Sequence, residues 1–305
     1  MRIAVIGAGL AGVTAARALA DAGLSPVIFD KGRGIGGRLA TRRGDGGFQF
    51  DHGAQYLPAD SSGFAAVLER AKAAGVAVPW TLDDGRDVVV GTPGMNALPK
   101  YLAQGLDVRQ EAEIDAIRKA QGGWSLAGSV FDRVICTVPA PQAMRLVAEM
   151  GALCDALSVV VMDPNLTLML ALPAEASPSF AARSDLDDSV AWLACNSSKP
   201  DRPGPGCYVA QASLAWSKAH LELEKSEIAE RLLPSVCHHL GVDASDAIYV
   251  AGHRWRYAQA SKPLAQPYLS ADETLFLGGD WALSGRAEGA WQSGQAMAEA
   301  VLASR

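Results

Sequence analysis

The chain has 305 residues, of which 49% are hydrophobic and 20% charged, a globular composition that suits one large domain or two of ordinary size. The net charge of −6 argues against a polyanion such as nucleic acid as partner. The 5 cysteines are odd in number and show neither Cys-x-x-Cys nor metal-ligand spacing, so they read as reduced, mostly buried thiols and no metal is expected.

The N-terminal stretch AVIGAGLAGVTAARALADAG is rich in small apolar residues, but Arg17 and Asp21 interrupt it. It is too broken for a membrane span or an export signal, and the expectation is a cytoplasmic protein with no membrane partner. RIAVIG reads as a buried parallel strand ending in Gly7-Ala-Gly9-Leu-Ala-Gly12. The alanine- and leucine-rich run from Leu10 to Ala22 reads as a helix closed by Gly23, and PVIFD as a second strand. In this strand–turn–helix–strand unit, Gly7 permits the turn, Gly9 lets a pyrophosphate approach and Gly12 lets helix and strand pack. Asp30 ends the second strand, where a carboxylate holds ribose hydroxyls. The unit predicts a dinucleotide site.

The next segment, KGRGIGGRLATRR, adds Gly-Gly-Arg and several arginines to an acidic protein. A nicotinamide dehydrogenase does not need such a loop. FAD enzymes of the glutathione-reductase-like type often carry it, so FAD is the expected cofactor. In the middle of the chain TPGMNALPKYLAQGLDV suits a loop, helix and strand, and FDRVICTVPAPQ a buried strand and a helix start. NLTLMLAL and CYVAQASLAW suit strands of a second domain. AHLELEKSEIAERLLPSVCHHLG suits a helix with a break near Pro234, and NSSKPDRPGPG reads as a loop. His238 and His239 are expected at the surface.

VAGHRWRYAQ alternates as a strand would. His253, Trp255 and Tyr257 then share one face suited to a planar ring, and Arg254 and Arg256 the other, suited to a phosphate. Near the C-terminus TLFLGGD reads as another strand of the first sheet, with Asp280 at the carboxyl end where α/β sheets bind ligands. Asp280 would accept from ribityl hydroxyls. The helix that follows, from about Glu288 to Ala303, would aim its N-terminus at the pyrimidine end of a flavin. Trp281, next to Asp280, is the aromatic residue expected to line the site. The expected cofactor contacts are Gly7, Gly9, Leu10, Ala11, Gly12, Asp30, Lys31, Gly37, Arg38, Gln55, Gly279, Asp280, Glu288, Gly289 and Ala290. Tyr56 and Arg286 are further candidates near the ring.

With GAGLAG, FDKGRGIGGRLATRR, FDHGAQYL, GTPGMNAL, VPAPQ, WLACNSSKPDR, HRWRYA and GGDWALSGRAEGAWQSG in this order, the chain resembles the bacterial renalase-like flavoproteins of the amine-oxidase superfamily. The resemblance implies an α/β fold: a Rossmann-type FAD-binding domain from residues 1–55, 91–156 and 262–305, with an α+β substrate domain of the amine oxidase/hydroxybenzoate hydroxylase-like kind from 56–90 and 157–261. It implies noncovalent FAD, since covalent relatives carry a cysteine near the C-terminal glycines and none follows Cys237 here. It also implies oxidation of 2- and 6-dihydro isomers of NAD(P), with oxygen as acceptor and hydrogen peroxide as product, by a monomer or weak dimer. Trp281, His253, Arg254, Trp255 and Tyr257 would form the reacting end. Trp216 and His220 match the family pattern, with a packing role equally open. Amine oxidation, or FAD binding without catalysis, are the alternatives.

Overall fold

The computed structural model describes residues 1–44, 46–202, 204 and 206–304. Two sheets organise it. The first has six strands in the order Tyr268–Ala271, Leu275–Gly278, Arg133–Cys136, Ile3–Ile6, Val27–Phe29 and Asp107–Arg109. All neighbours are parallel except the edge pair Tyr268–Ala271 and Leu275–Gly278. The inner strands are apolar apart from Arg133 at the start of one, because both faces are covered. Helices Leu10–Asp21 and Ala287–Ala303 pack side by side on one face, around Val13, Leu19, Met297 and Val301. On the other face lies a three-stranded antiparallel sheet, Arg118–Ala120, Gly123–Leu126 and Ser129–Phe131, with Trp124, Leu126 and Phe131 packed inward.

The second sheet has five antiparallel strands in the order Ala182–Ser184, Val190–Cys195, Cys207–Ala212, Val161–Ala171 and Tyr249–Lys262. One face is closed by the helix Lys225–Leu240, through Ile228, Leu232 and Val236 against Leu166, Leu168, Leu170 and Leu193. The other face carries polar and aromatic side chains and turns toward the first sheet.

The helical run expected around residues 219–241 is divided, but not at Pro234. One helix ends at Ala219 and the next begins at Lys225, where Glu224 and Glu227 form a capping box. The second helix runs through Pro234. That residue lies on the exposed side, where the carbonyl it leaves unpaired can face water while the buried face stays regular. The helix Ser62–Ala73 and the hairpin Ala77–Thr81/Asp87–Gly91 fill the space between the sheets. They share a core with Leu10, Met95, Ala194 and Ala290. Among the described residues no helix is long and apolar enough to cross a membrane.

Candidate active site

The first glycine turn has the build its spacing predicts. A Cβ on Gly12 would lie 1.9 Å from the Gly7 carbonyl oxygen, so only glycine lets the helix start this close to the strand. A Cβ on Gly9 would meet nothing within 4 Å, and that open space is where a phosphate can reach the helix N-terminus. The second glycine loop closes against the first: Gly36 N donates to Ala8 O at 2.9 Å. The Asp30 carboxylate accepts from Ala8 N and Gly32 N, both at 2.6 Å, and so ties the two loops at the strand's end. A carboxylate accepts more than two hydrogen bonds, so ribose hydroxyls can still be held. These residues fit a dinucleotide. Leu10 and Ala11 are buried in the first helical turn, whereas Lys31 is exposed at the rim, 4.0 Å from Glu113.

Arg38 and Asp280, expected as two separate cofactor contacts, are joined. Arg38 Nη1 donates to Asp280 Oδ2 at 2.7 Å, and Nη2 donates to Oδ1. Nη1 also reaches the Ala258 carbonyl of the second sheet at 2.9 Å. Gly279 N, beside Asp280, donates to Ser293 Oγ at 2.8 Å, which sets the strand end against the last helix. That helix begins at Ala287, and the side chain of its N-cap residue Arg286 makes no capping bond, so its first amides remain available to an acceptor. Gly289 and Ala290 are buried in this turn.

Three expected contacts need correction. The Glu288 carboxylate accepts from Asp60 N at 2.7 Å and Ser61 N at 2.8 Å, so it fastens the last helix to the start of helix Ser62–Ala73 instead of reaching into the site. These bonds outweigh desolvation and hold its carboxyl below the usual range. Gln55 is buried, with its amide nitrogen on the carbonyls of Asp51 and Gly53 and its oxygen on Lys199. It braces its own turn. Trp281 is 0% exposed, and its indole nitrogen donates to Val138 O at 2.9 Å. Its ring is part of the core with Cys136, Leu277 and Ala282 and has no face left for a substrate.

The strand Tyr249–Lys262 alternates as expected, but only one of its faces belongs to the site. Arg254 Nη1 donates to the carbonyls of Leu221 and Leu223 at 3.1 and 3.2 Å, and Arg256 forms a two-pronged pair with Glu222 at 2.7 Å. The arginine face therefore clamps the turn between two helices, and Arg254 is not free to meet a phosphate. On the opposite face His253, Trp255 and His52 form a three-ring cluster. Centroid separations are 4.3 Å for His253–Trp255, 4.6 Å for His52–His253 and 5.1 Å for His52–Trp255. Trp255 Nε1 donates to His52 O at 2.7 Å. Burial keeps both imidazoles neutral, lowering His52 to about 4 and His253 to about 3. Tyr257 lies two residues further along and is half-buried.

Register extends this face across the sheet. Trp192 pairs with Gln211, Gln211 with Thr167 and Thr167 with His253, while Asn165 pairs with Trp255. Gln211 Nε2 donates to Gly53 O at 2.7 Å, which leaves its carbonyl oxygen as an acceptor. His52, Asn165, Thr167, Trp192 and Gln211 were missed as site candidates. The available signal was the recurrence of amide and hydroxyl side chains at alternate positions in otherwise apolar strands.

Trp216 and His220 stack on each other, with ring centroids 4.2 Å apart, and His220 Nδ1 contacts Trp216 O, a packing role. His238 is exposed as expected, but His239 is engaged with Asp187 at 2.6 Å. Among the described residues no group of three or more His, Cys, Asp or Glu is placed to hold a metal ion.

Sequence and structure comparisons agree with this build. Residues 5–71 match the NAD(P)-binding Rossmann-like domain. An L-amino-acid oxidase of Siganus canaliculatus is 40% identical over 84 residues, which are 27% of this chain and 15% of that protein. A 15-cis-phytoene desaturase of Synechococcus elongatus is 40% identical over 53 residues, 17% of this chain and 11% of the relative. The chain thus aligns with only a small part of either relative. Among solved structures, cyclohexylamine oxidase from Brevibacterium oxydans is similar at a TM-score of 0.78 and 14% identity, covering 99% of both chains. Putrescine oxidase bound to putrescine is similar at 0.72 and 15%, also covering 99% of both. At these identities the likeness establishes the fold alone. Residues 60–302 match the family of flavin containing amine oxidoreductases, and with a Rossmann-type nucleotide site at one end and a second sheet facing it, the chain belongs to that family of flavin-dependent oxidoreductases.

Proposed function

We propose that the chain is an FAD-dependent oxidase acting on 2- and 6-dihydro isomers of NAD(P), with FAD held noncovalently. No cysteine lies in or near the C-terminal glycine segment to bind it covalently. The observation that carries the substrate reading is the commitment of every buried carboxylate among the described residues. Asp51 pairs with Lys199 and Arg202, Asp163 with Lys218, Asp280 with Arg38, and Glu288 with the amides of residues 60 and 61. None is left to receive an ammonium group. The polar face instead offers neutral imidazoles, rings and an amide oxygen, which suit an uncharged planar carboxamide-bearing ring.

The chemistry FAD supplies when bound is acceptance of a hydride, followed by return of two electrons to oxygen as hydrogen peroxide. The chain's own task is then positioning. Loss of hydride makes the dihydropyridine an aromatic cation, and no proton need be removed, so a strong general base is unnecessary. Neutral His52 and His253 place no like charge beside that developing cation. Trp255, fixed by its bond to His52 O, offers a ring to stack on.

Amine oxidation is the second reading, favoured by the several rings on the same face and by the fold shared with putrescine oxidase. One anaerobic stopped-flow comparison separates the two. Fast flavin bleaching by 2- or 6-dihydro-NAD(P), slow bleaching by the ordinary 4-dihydro form, and peroxide on admitting oxygen are expected. Rapid reduction by primary amines or polyamines, with none by the isomers, would overturn the proposal.

A further inference from the structure

The segment Asp51–Gln55 is fixed by several hydrogen bonds to other elements. Asp51 N donates to Asn196 Oδ1 at 3.2 Å. The His52 carbonyl takes the Trp255 indole, and the Gly53 carbonyl takes both Gln55 and Gln211. Ala54 N donates at 3.0 Å to the carbonyl of Arg38, the residue whose side chain holds Asp280. This turn is therefore the wall that joins the cofactor loops to the polar face of the second sheet.

Behind the wall lies a charge cluster that the proposed chemistry does not use. Asp51 Oδ2 accepts from Arg202 Nη2 at 2.7 Å, Arg202 Nε at 3.1 Å and Lys199 Nζ at 3.4 Å, and all three side chains are 0% exposed. Asp51 Oδ1 accepts from Thr41 and from Met95 N. Arg202 is further engaged by the carbonyls of Pro200 and Gly91. The cluster holds two cations and one carboxylate. Buried ion pairs seldom add stability over apolar packing, because desolvation costs about what the attraction returns. A buried cluster with an excess cation calls for another role, and one of its outward contacts ends on the side chain that shapes the turn: Lys199 Nζ donates to Gln55 Oε1 at 3.2 Å.

We infer that Lys199 is a positioning residue, which acts through Gln55 to set the Asp51–Gln55 turn against the bound flavin. The inference rests on the reading that this turn borders the flavin site. The amide of Gln55 is the transmitting part: Lys199 holds its oxygen, and its nitrogen then points at the carbonyls of Asp51 and Gly53. The groups facing Lys199 are Asp51 from strand Gln49–Asp51, Arg202 from its own turn, the Cys195 thiol from strand Val190–Cys195, and the ring of Trp80, whose centroid lies 5.1 Å away. Burial dominates among these influences and lowers Lys199 to about 8, against the pull of Asp51. Loss of its proton removes the excess charge and weakens the hold on Gln55.

The test uses FAD-loaded protein and the visible circular dichroism of bound flavin between pH 6 and 10. Wild type is expected to show one transition near pH 8. Lys199→Arg, which stays charged, should lack the transition and keep the low-pH signal. Lys199→Met should lack it too and show the high-pH signal throughout. Gln55→Leu should remove the transition while leaving the Asp51–Arg202 pair intact, so the test stands even if Lys199→Met does not fold. A transition that survives in Lys199→Arg or Gln55→Leu, or its absence from wild type, would overturn the inference. Failure of the dihydronicotinamide isomers to reduce the flavin would sink the substrate reading alone, since this signal requires no substrate. Failure to bind flavin at all would overturn both.

Discussion

Arg38 and Asp280 stand 242 residues apart in sequence and close a two-pronged ion pair at the mouth of the nucleotide site. Asp280 is 4% exposed and, among the described residues, has no other side-chain partner of opposite charge. The pair does two things at once. It locks the second glycine loop to the last strand of the first sheet, and through Ala258 O it ties both to the second sheet.

Replacing Asp280 with Ala leaves the Arg38 guanidinium without its carboxylate and removes the group proposed to accept from ribityl hydroxyls. Hydrogen bonds to charged groups contribute about 1.5–3 kcal/mol each, so flavin affinity is expected to fall by tenfold or more. Flavin retained after ultrafiltration, compared with wild type at matched protein concentration, measures this. Undiminished retention would remove Asp280 from the cofactor site.

The buried imidazoles predict an acid-sensitive fold. The unfolded chain protonates His52 and His253 below about pH 6.5, whereas the native protein does so only near pH 4 and pH 3. The unfolded state thus binds more protons in this window, and stability rises with pH. The contribution is complete above pH 6.5 and is lost as pH falls toward 4, by roughly 3 kcal/mol for His52. Urea unfolding at pH 7 and pH 5 should show the drop, and His52→Gln should flatten it. An equally steep drop in that variant would assign the effect elsewhere.

Trp281→Phe tests the corrected role of the tryptophan. The change removes the bond to Val138 O and part of a buried ring, at a cost of about 1–3 kcal/mol. Denaturant midpoints should fall, while turnover per bound flavin stays near wild type. A stable variant with greatly slowed flavin reduction would return Trp281 to the reacting end.

The glycine turn and Asp30 were legible because their chemistry is local: a strand, a tight turn and a helix start fall within one short segment. The alternation of His253 and Trp255 was legible for the same reason. What escaped was direction and distance. Trp281 follows Asp280, but both lie in the short helix Asp280–Leu283, where neighbouring side chains diverge by about 100°. One faces Arg38 while the other enters the core. Arg254 looked like a phosphate ligand because no local signal reveals the carbonyls of Leu221 and Leu223 that occupy it. Glu288 likewise meets its amides 228 and 227 residues away. Such contacts are made by the tertiary fold and leave no periodic trace.

The position of Leu275–Gly278 in the first sheet has a consequence for how the protein is made. Arg133–Cys136 pairs with Ile3–Ile6 on one side and with Leu275–Gly278 on the other. During synthesis the N-terminal unit can assemble early, yet the outer edge of Arg133–Cys136 stays open until residues 275–278 have been made. Through that interval Arg38 has no carboxylate and the edge presents unpaired backbone to any passing strand. A chain cut short after the second sheet would then carry the strand–turn–helix unit without the Asp280 carboxylate that pairs with Arg38.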